Sequence, residues 1–305
     1  MLQINDLTIT CRRDLRTVVE HLNLTLGPGD RCAVIGEEGN GKSTLLRLLC
    51  DSSLVEGYAE WSGSFSFGRD RPGYLAQEAA VSELAGSARE FLAASAAFEA
   101  LTGRERAALA GELGLDIGAF ASERPLLSFS GGERVKLRLA RVLAEQPDVL
   151  LLDEPSNDLD LDALEWLEGW MAGCGLPMLF VSHDEALLER VSTMVLHLEL
   201  LRRKTAPRAT VARLPYGEYV AARSRALSRQ EQSARKEREE FDRQLERYRR
   251  IRQKVERAQS SVSRQDPHSG RLLKKKMHSV QSMGRRFERE REKLTALPEF
   301  EEPVF

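Results

Sequence analysis

GEEGNGKST, at residues 36–44, is the most informative segment of this 305-residue chain. It fits the pattern GxxxxGK[ST], follows the short apolar run RCAVI (31–35) and precedes TLLRLLC (44–50), whose leucine spacing is typical of a helix. A glycine-rich loop at a helix N-terminus presents backbone N–H groups to phosphate oxygens. We therefore predict a nucleotide-phosphate site formed by nine consecutive residues: Gly36, Glu37, Glu38, Gly39, Asn40, Gly41, Lys42, Ser43 and Thr44.

The chemistry of this loop predicts a partner strand that ends in acids. Lys42 would place its charge on the β- and γ-phosphates, and the Ser43 hydroxyl would face Mg²⁺. VLLLDE, at 149–154, is an apolar run that ends in two carboxylates. Asp153 is predicted to partner the Mg²⁺, and Glu154 to orient or deprotonate an attacking water.

The flanking segments predict an α/β fold with a largely parallel sheet. Residues 2–10 and 18–26 alternate apolar and polar side chains, as half-buried strands do. DVLLLD (148–153) and MLFV (178–181) are typical of buried strands, and 161–171 of a helix between them. Such sheets bind ligands at the carboxyl ends of their strands, which is where both motifs fall.

The bulk composition is that of a soluble protein, with 42% hydrophobic and 30% charged residues. No apolar run reaches the ~18 residues of a membrane span, so no direct membrane insertion is expected. The N-terminus lacks the basic and then apolar layout of a secretory signal. The four cysteines form no CxxC pair, which favours free thiols and a cytoplasmic location.

The charge is divided unevenly along the chain. Residues 1–200 hold 17 Lys and Arg against 32 Asp and Glu, whereas residues 201–305 hold 28 against 15. A net charge of +13 in the second part favours a polyanionic partner there. A basic helix that is merely solvated is the alternative.

The basic part is predicted to be an antiparallel helical hairpin. No Gly or Pro occurs from Glu218 to Asp266, and the turn signal DPHSG occupies 266–270. Apolar residues recur every three or four positions on both sides of this turn, which predicts a packed seam between two rods. The predicted seam residues are Phe241, Leu245, Tyr248, Ile251, Val255, Ala258 and Val262 on the first rod, and Leu273, Met277, Val280, Met283, Phe287 and Leu294 on the second.

Further motifs, taken in order, resemble those of an ATP-binding cassette of the ABC class. SFSGGE at 128–133 looks like the ABC signature, and it runs through a helical segment into the Walker B strand VLLLDEP. Gln77 in GYLAQE resembles the Q-loop glutamine, Asp160 in SNDLD the D-loop, and His183 in FVSHD the switch histidine.

The resemblance implies a role for each matching residue. Three residues would be catalytic. Glu154 would activate water, His183 would contact the γ-phosphate, and Gln77 would act beside them. Lys42 and Thr44 would hold phosphates, while Ser43 and Gln77 would ligate Mg²⁺, with Asp153 as its outer-sphere partner in the metal site. ABC cassettes bind ATP head to tail in pairs, so the signature residues would complete the site of an opposing cassette: Ser130, Gly131, Gly132 and Glu133. The family's adenine-stacking aromatic is missing near Cys11, where Arg12 or Arg13 is the possible replacement.

Within that class the chain resembles the first half of ABC-F proteins, which are soluble twin-cassette proteins acting on ribosomes. The resemblance rests on the signature ending in Glu133, EPSNDLD at 154–160, LPYGEYVAAR at 214–223 and the basic hairpin. It implies contact with rRNA and tRNA through the hairpin, as a translation factor or an antibiotic-resistance factor of the ribosomal protection type. The ATP-binding subunit of a transporter with a separate membrane partner is the alternative.

These assignments predict the order of three segments along the chain and only one of the two cassettes that an ATP sandwich needs. We expect a cassette at 1–204, a basic hairpin linker at 205–296 with its tip near 260–270, and a junction at 297–305. The chain has one phosphate loop and one signature, whereas a sandwich needs two of each. We expect either a homodimer or a second cassette after Phe305, with the second favoured and with weak ATP hydrolysis by the isolated chain.

Overall fold

The computed structural model describes residues 1–68, 72–78, 84–201, 205–261 and 267–292. The chain divides into two compact units, the first spanning Met1–Val220 and the second beginning at Ala221. Each unit is described by itself. Within the described residues, no helix combines the length and apolar character needed to cross a membrane.

The strands of the first unit form two sheets. In chain order they are β1 Leu2–Cys11, β2 Thr17–Leu26, β3 Arg31–Ile35, β4 Ala59–Phe67, β5 Pro72–Leu75, β6 Val149–Asp153, β7 Met178–Val181, β8 Met194–Leu200 and β9 Ala206–Ala212. A three-stranded antiparallel sheet has the order β2-β1-β4. A six-stranded sheet has the order β5-β6-β7-β3-β8-β9 and is parallel except for β9, which pairs antiparallel with β8. The predicted α/β class is confirmed.

The helices connect these strands and continue into the second unit. They are α1 Lys42–Cys50, α2 Ala88–Ala93, α3 Ala96–Ala100, α4 Gly103–Glu112, α5 Gly131–Ala144, α6 Leu161–Gly173, α7 Glu185–Val191, α8 Tyr216–Ser261 and α9 Pro267–Glu292. Short 3-10 turns lie at Ser52–Leu54, Ile117–Ala121 and Leu126–Ser128.

The six-stranded sheet is covered on both faces, which explains its apolar strands. All five residues of β6 are buried. Leu150 and Leu152 pack into one hydrophobic core, and Val149 and Leu151 into another. Because successive side chains of a strand point to opposite faces, an uninterrupted apolar run serves both cores. Asp153, the last residue of β6, therefore lies at the carboxyl-terminal edge of the sheet. The phosphate loop begins at the same edge, after β3.

The first unit extends beyond the boundary that the sequence placed after residue 204. Strand β9 completes the large sheet, and the unit continues to Val220. Tyr219 is buried, and its hydroxyl lies 2.8 Å from Nδ1 of His197 in β8. The start of α8 therefore packs on the sheet. Residues 297–305, assigned from the sequence to a junction, lie outside the described residues.

The second unit contains the predicted antiparallel pair of helices. The ring centroids of Phe241 in α8 and Phe287 in α9 are 5.9 Å apart, and those of Tyr248 and Phe287 are 5.4 Å apart. Tyr248, the later of these two α8 residues, also approaches the earlier α9 residue Gly284, so the two helices run antiparallel, as the hairpin interpretation requires. Residues 262–266, in the predicted tip, lie outside the described part of the chain.

The seam departs from the predicted stripe at two positions. Ile251 is 46% exposed and Met283 39% exposed, so neither is a seam residue. On α9 the seam instead passes from Val280, which is buried, through half-buried Gly284 to Phe287. A helix has 3.6 residues per turn, so either residue 283 or residue 284 can follow residue 280 in the seam. The larger apolar side chain of Met283 was predicted there, whereas Gly284 occupies the position. Val262, Leu294 and the side chain of Leu273 lie outside the described residues.

Gly284 allows Tyr248 to lie across α9, and this contact can be tested. A Cβ at Gly284 would stand 2.6 Å from the Tyr248 hydroxyl. We expect Gly284→Ala to lower the unfolding free energy of the hairpin by about 1 kcal/mol, although alanine is the better helix former by about that amount. Thermal unfolding followed by circular dichroism measures the change.

The control for this prediction removes the clashing atom. In a Tyr248→Phe background the hydroxyl is absent, so Gly284→Ala should become stabilising through helix propensity. Equal effects of Gly284→Ala in the two backgrounds would show that Tyr248 does not contact this position.

Candidate active site

The phosphate loop lies between β3 and α1, where the sequence predicts it. Gly36 has φ 144° and Gly41 has φ 86°, both in the region that favours glycine. A Cβ at Gly36 would overlap the carbonyl oxygen of Leu198, and one at Gly41 would stand 2.8 Å from Val18 Cγ2. Glycine is therefore required by close approach as well as by backbone conformation, and the loop is held against β8 and β2.

Two side chains hold the loop in shape. The Lys42 Nζ donates to the carbonyl oxygens of Gly36, at 2.5 Å, and Glu37, at 3.1 Å. The buried Asn40 amide donates from Nδ2 to the Leu198 oxygen at 2.9 Å. The Asn40 side chain, assigned from the sequence to the nucleotide, thus also anchors the loop to β8.

Ser43 and Asp153 meet behind the loop. The Ser43 hydroxyl donates to Asp153 Oδ1 at 2.9 Å, and Asp153 is fully buried. Gln77, two residues beyond the end of β5, lines the same pocket as Ser43. A hydroxyl, a carboxylate and an amide oxygen are the hard ligands that Mg²⁺ prefers. These residues therefore fit the predicted metal, whose binding here stays a prediction.

Glu154 follows β6 in a strained backbone conformation. Its φ is 51°, which is uncommon for a non-glycine residue, and its side chain is buried. Oε2 accepts from the His183 backbone N–H at 3.2 Å, and Oε1 lies 3.3 Å from His183 Nε2. Burial raises the pKa of Glu154, although nearby His183 and Lys42 oppose the shift. A carboxylate with a raised pKa is a stronger base, which suits general-base chemistry.

One pocket of about 350 Å³ gathers most of the predicted site. Its walls are formed by Glu38, Gly39, Gly41, Lys42, Ser43, Thr44, Gln77, Glu154, Asn157, Val181 and His183. The three predicted catalytic residues, Gln77, Glu154 and His183, thus converge on the phosphate loop. Asn157 and Val181 were not singled out from the sequence, although both lie inside segments that were.

The signature residues form a separate structure at the start of α5. Ser130 caps the helix, because its Oγ accepts from the Glu133 N–H at 3.2 Å while Glu133 Oε2 accepts from the Ser130 N–H at 2.9 Å. Gly131 packs against the Asp158 carbonyl, and a Cβ at Gly132 would stand 2.6 Å from that of Ala163. None of these four residues is part of the described pocket wall. Glu133 therefore has a structural role within its own cassette.

Asp160 also caps a helix. Its side chain accepts from the Ala163 N–H at 2.9 Å at the start of α6. Because Gly132 packs on the same Ala163, the predicted D-loop and the signature share one contact region.

Arg12 and Arg13, which were considered for stacking on adenine, lie in the turn between β1 and β2. Arg12 Nε donates to the Ala59 oxygen at 3.3 Å, and it lies 3.8 Å from a Glu60 carboxylate oxygen. Of the two arginines considered for stacking, Arg12 is thus engaged with β4, whereas Arg13 is exposed.

Comparisons with known proteins agree with this geometry. The family model described as "ABC transporter" matches residues 19–157. The chain is 32% identical over 220 residues to the probable ATP-binding protein YheS of Escherichia coli K12. The aligned segment covers 63% of this chain and 34% of YheS. It is 35% identical over 121 residues to ABC transporter F family member 5 of Arabidopsis thaliana, covering 40% of this chain and 17% of the relative.

A third relative has a name that describes its action. The ribosome protection protein VmlR of Bacillus subtilis is 35% identical over 179 residues, covering 58% of this chain and 30% of the relative. The chain spans about a third or less of the length of these relatives.

The sheet order, the phosphate loop with its acidic strand end, and these matches lead to one assignment. Residues 19–157 match the cassette of the ABC ATPases, and the similarity to these relatives supports an ABC-F type protein.

Proposed function

We propose that this chain binds and hydrolyses ATP and uses the nucleotide cycle to act on the ribosome through its basic hairpin. The contact between Glu154 and His183 in the wall of the phosphate-loop pocket carries the enzymatic part of the proposal. The cations of the second unit carry the ribosomal part.

Each pocket residue has a defined task in hydrolysis. Lys42 and the loop N–H groups hold the β- and γ-phosphates, with Thr44 at the start of α1. Glu154 accepts a proton from the attacking water, and His183 stands beside it at the γ-phosphate. Ser43, Asp153 and Gln77 would hold Mg²⁺, and the ion would supply positive charge beside the transferred phosphoryl group.

A second cassette is part of this proposal. The signature residues 130–133 form the capped start of α5 but do not line the pocket described above. They are therefore available to an opposing site. We propose that the opposing cassette lies in the same polypeptide in the full-length protein, with a second copy of this chain as the alternative. The relatives, of which this chain matches a third or less, support the first arrangement.

The hairpin is suited to phosphate contacts rather than to base reading. It carries arginines and lysines along both helices, and its described aromatic side chains Phe241, Tyr248 and Phe287 pack in the seam. Such a surface recognises RNA by backbone charge and shape. The name of VmlR supports a ribosomal target. A translation factor and a ribosomal protection factor both fit this surface.

Co-sedimentation with ribosomes tests the proposal. We expect the Glu154→Gln protein with ATP to pellet with ribosomes at low salt and to be released as salt is raised. Lys42→Ala, which removes the phosphate-binding charge, is the control and should pellet less. If pelleting is absent, or is unaffected by both salt and nucleotide, the ribosomal role is wrong, and a transporter subunit becomes the better hypothesis.

A further inference from the structure

Tyr74 in β5 contacts the acid at the end of β6. Its hydroxyl donates to Asp153 Oδ2 at 3.3 Å, while Ser43 donates to Oδ1 at 2.9 Å. Asp153 is fully buried, so each of its oxygens is held by one hydroxyl in a place that water does not reach. A buried carboxylate loses considerable stabilisation when one of its donors is removed.

Tyr74 is itself held from α1. The phenols of Tyr74 and Tyr58 lie beside the Arg47 guanidinium and raise its pKa. Arg47 lies one turn after Ser43 on the same helix. The contacts thus form a closed ring through Ser43, Asp153, Tyr74, Arg47 and back along α1.

The ring also fixes the strand that leads to Gln77. Tyr74 pairs with Leu151, and Leu75 with Leu152, in the parallel ladder between β5 and β6. Gln77 follows three residues after Tyr74, so a bond from Tyr74 to Asp153 fixes the point where that loop leaves the sheet. The predicted Mg²⁺ ligands on α1, β6 and the loop after β5 are therefore linked through one phenol.

We propose that Tyr74 is a positioning residue that sets the geometry of the Mg²⁺ ligands by holding the Asp153 carboxylate. This inference rests on the proposed ATP-binding function. Tyr74 does not line the pocket, so it acts through Asp153 rather than on the nucleotide. The phosphate loop does not depend on it, and binding of the phosphates without metal should not change.

Titration with a fluorescent ATP analogue tests the inference, with and without Mg²⁺. For Tyr74→Phe we expect the Mg²⁺ concentration that gives half-maximal stimulation of binding to rise about tenfold or more, as for removal of one hydrogen bond to a charged group. Affinity in EDTA should stay within about twofold of the parent protein. Tyr58→Phe is the matched control, because it removes the other phenol at Arg47 without touching Asp153, and should leave both values unchanged.

The outcomes separate this inference from the proposed function. A parent protein that binds no nucleotide contradicts the function itself. A parent with Mg²⁺-dependent binding and a Tyr74→Phe variant with the same Mg²⁺ requirement contradicts the positioning role. If Tyr74→Phe does not fold, Arg47→Gln decides: a smaller rise in the Mg²⁺ requirement supports the ring, and an unchanged requirement rules it out.

Discussion

Replacing Glu154 with Gln should reduce ATP turnover by about 10²- to 10⁴-fold, the usual contribution of a general base. The substitution keeps the size of the side chain and an oxygen to accept the His183 N–H bond, so the strained turn after β6 should persist. The variant can no longer take a proton from water. Phosphate release at saturating ATP measures the effect, and the fluorescent analogue should show unchanged binding.

Glu185→Gln is the matched control for this prediction. Glu185 is two residues from His183, is exposed, and has no place in the described pocket wall. Its substitution removes the same charge and should leave turnover within about twofold of the parent value, as expected for a surface change away from special contacts. Parental turnover in Glu154→Gln would remove Glu154 from the catalytic role, whatever its position in the pocket.

The second large expected effect is on ribosome binding, and it concerns cations of the hairpin that make no ion pair. Several arginines are in ion pairs with a glutamate four residues away, as in Arg235 with Glu239 and Arg252 with Glu256. Other exposed cations make no ion pair with a described residue, and among them are Arg247, Arg249, Lys274, Lys275 and Lys276. Because no ion pair within the described residues engages them, these five are available to RNA phosphates.

We expect changing these five cations to Gln to weaken ribosome binding at least tenfold. The dependence of log affinity on log salt should also become shallower, by up to about one for each RNA phosphate that the variant no longer neutralises. Co-sedimentation across a salt series measures both quantities. The seam is untouched, so the helical content of the hairpin should be retained.

A variant with the same change in charge is the control. Five arginines that contact glutamates on their own helix are Arg235, Arg243, Arg250, Arg252 and Arg286. Changing these five to Gln alters the net charge equally but removes cations already engaged with acids, so binding should weaken clearly less. Equal weakening would mean that total charge rather than position determines attachment. Unchanged binding in both variants would remove these ten cations from ribosome binding.

The motifs allowed the nucleotide pocket to be predicted because each is a short local pattern with its own chemistry. Gly36 and Gly41 lie in backbone conformations that the phosphate-loop pattern requires, and Gln77 and His183 reach the same pocket. The parallel sheet could be predicted as well, because its buried strands are uninterrupted apolar runs. The functional roles of the pocket residues stay predictions.

Contacts between distant segments could not be predicted in the same way. Tyr74 meets Asp153 only because β5 and β6 are neighbours in the sheet, and neither segment encodes the strand order by itself. Strand β9, APRATVA, has little apolar content, which is why the first unit was ended too early. By contrast, the capping contact of Glu133 is local, and the spacing of Ser130 and Glu133 is itself that of a capping box.

The capping box at Ser130 has a further consequence for assembly. The loop that a second cassette would meet is already rigid, held by reciprocal bonds between Ser130 and Glu133 and by the contact of Gly131 with the Asp158 carbonyl. Its backbone loses little conformational entropy on docking, because ordering was completed when the monomer folded. If the proposed second cassette docks at this loop, it meets a surface that folding has already shaped.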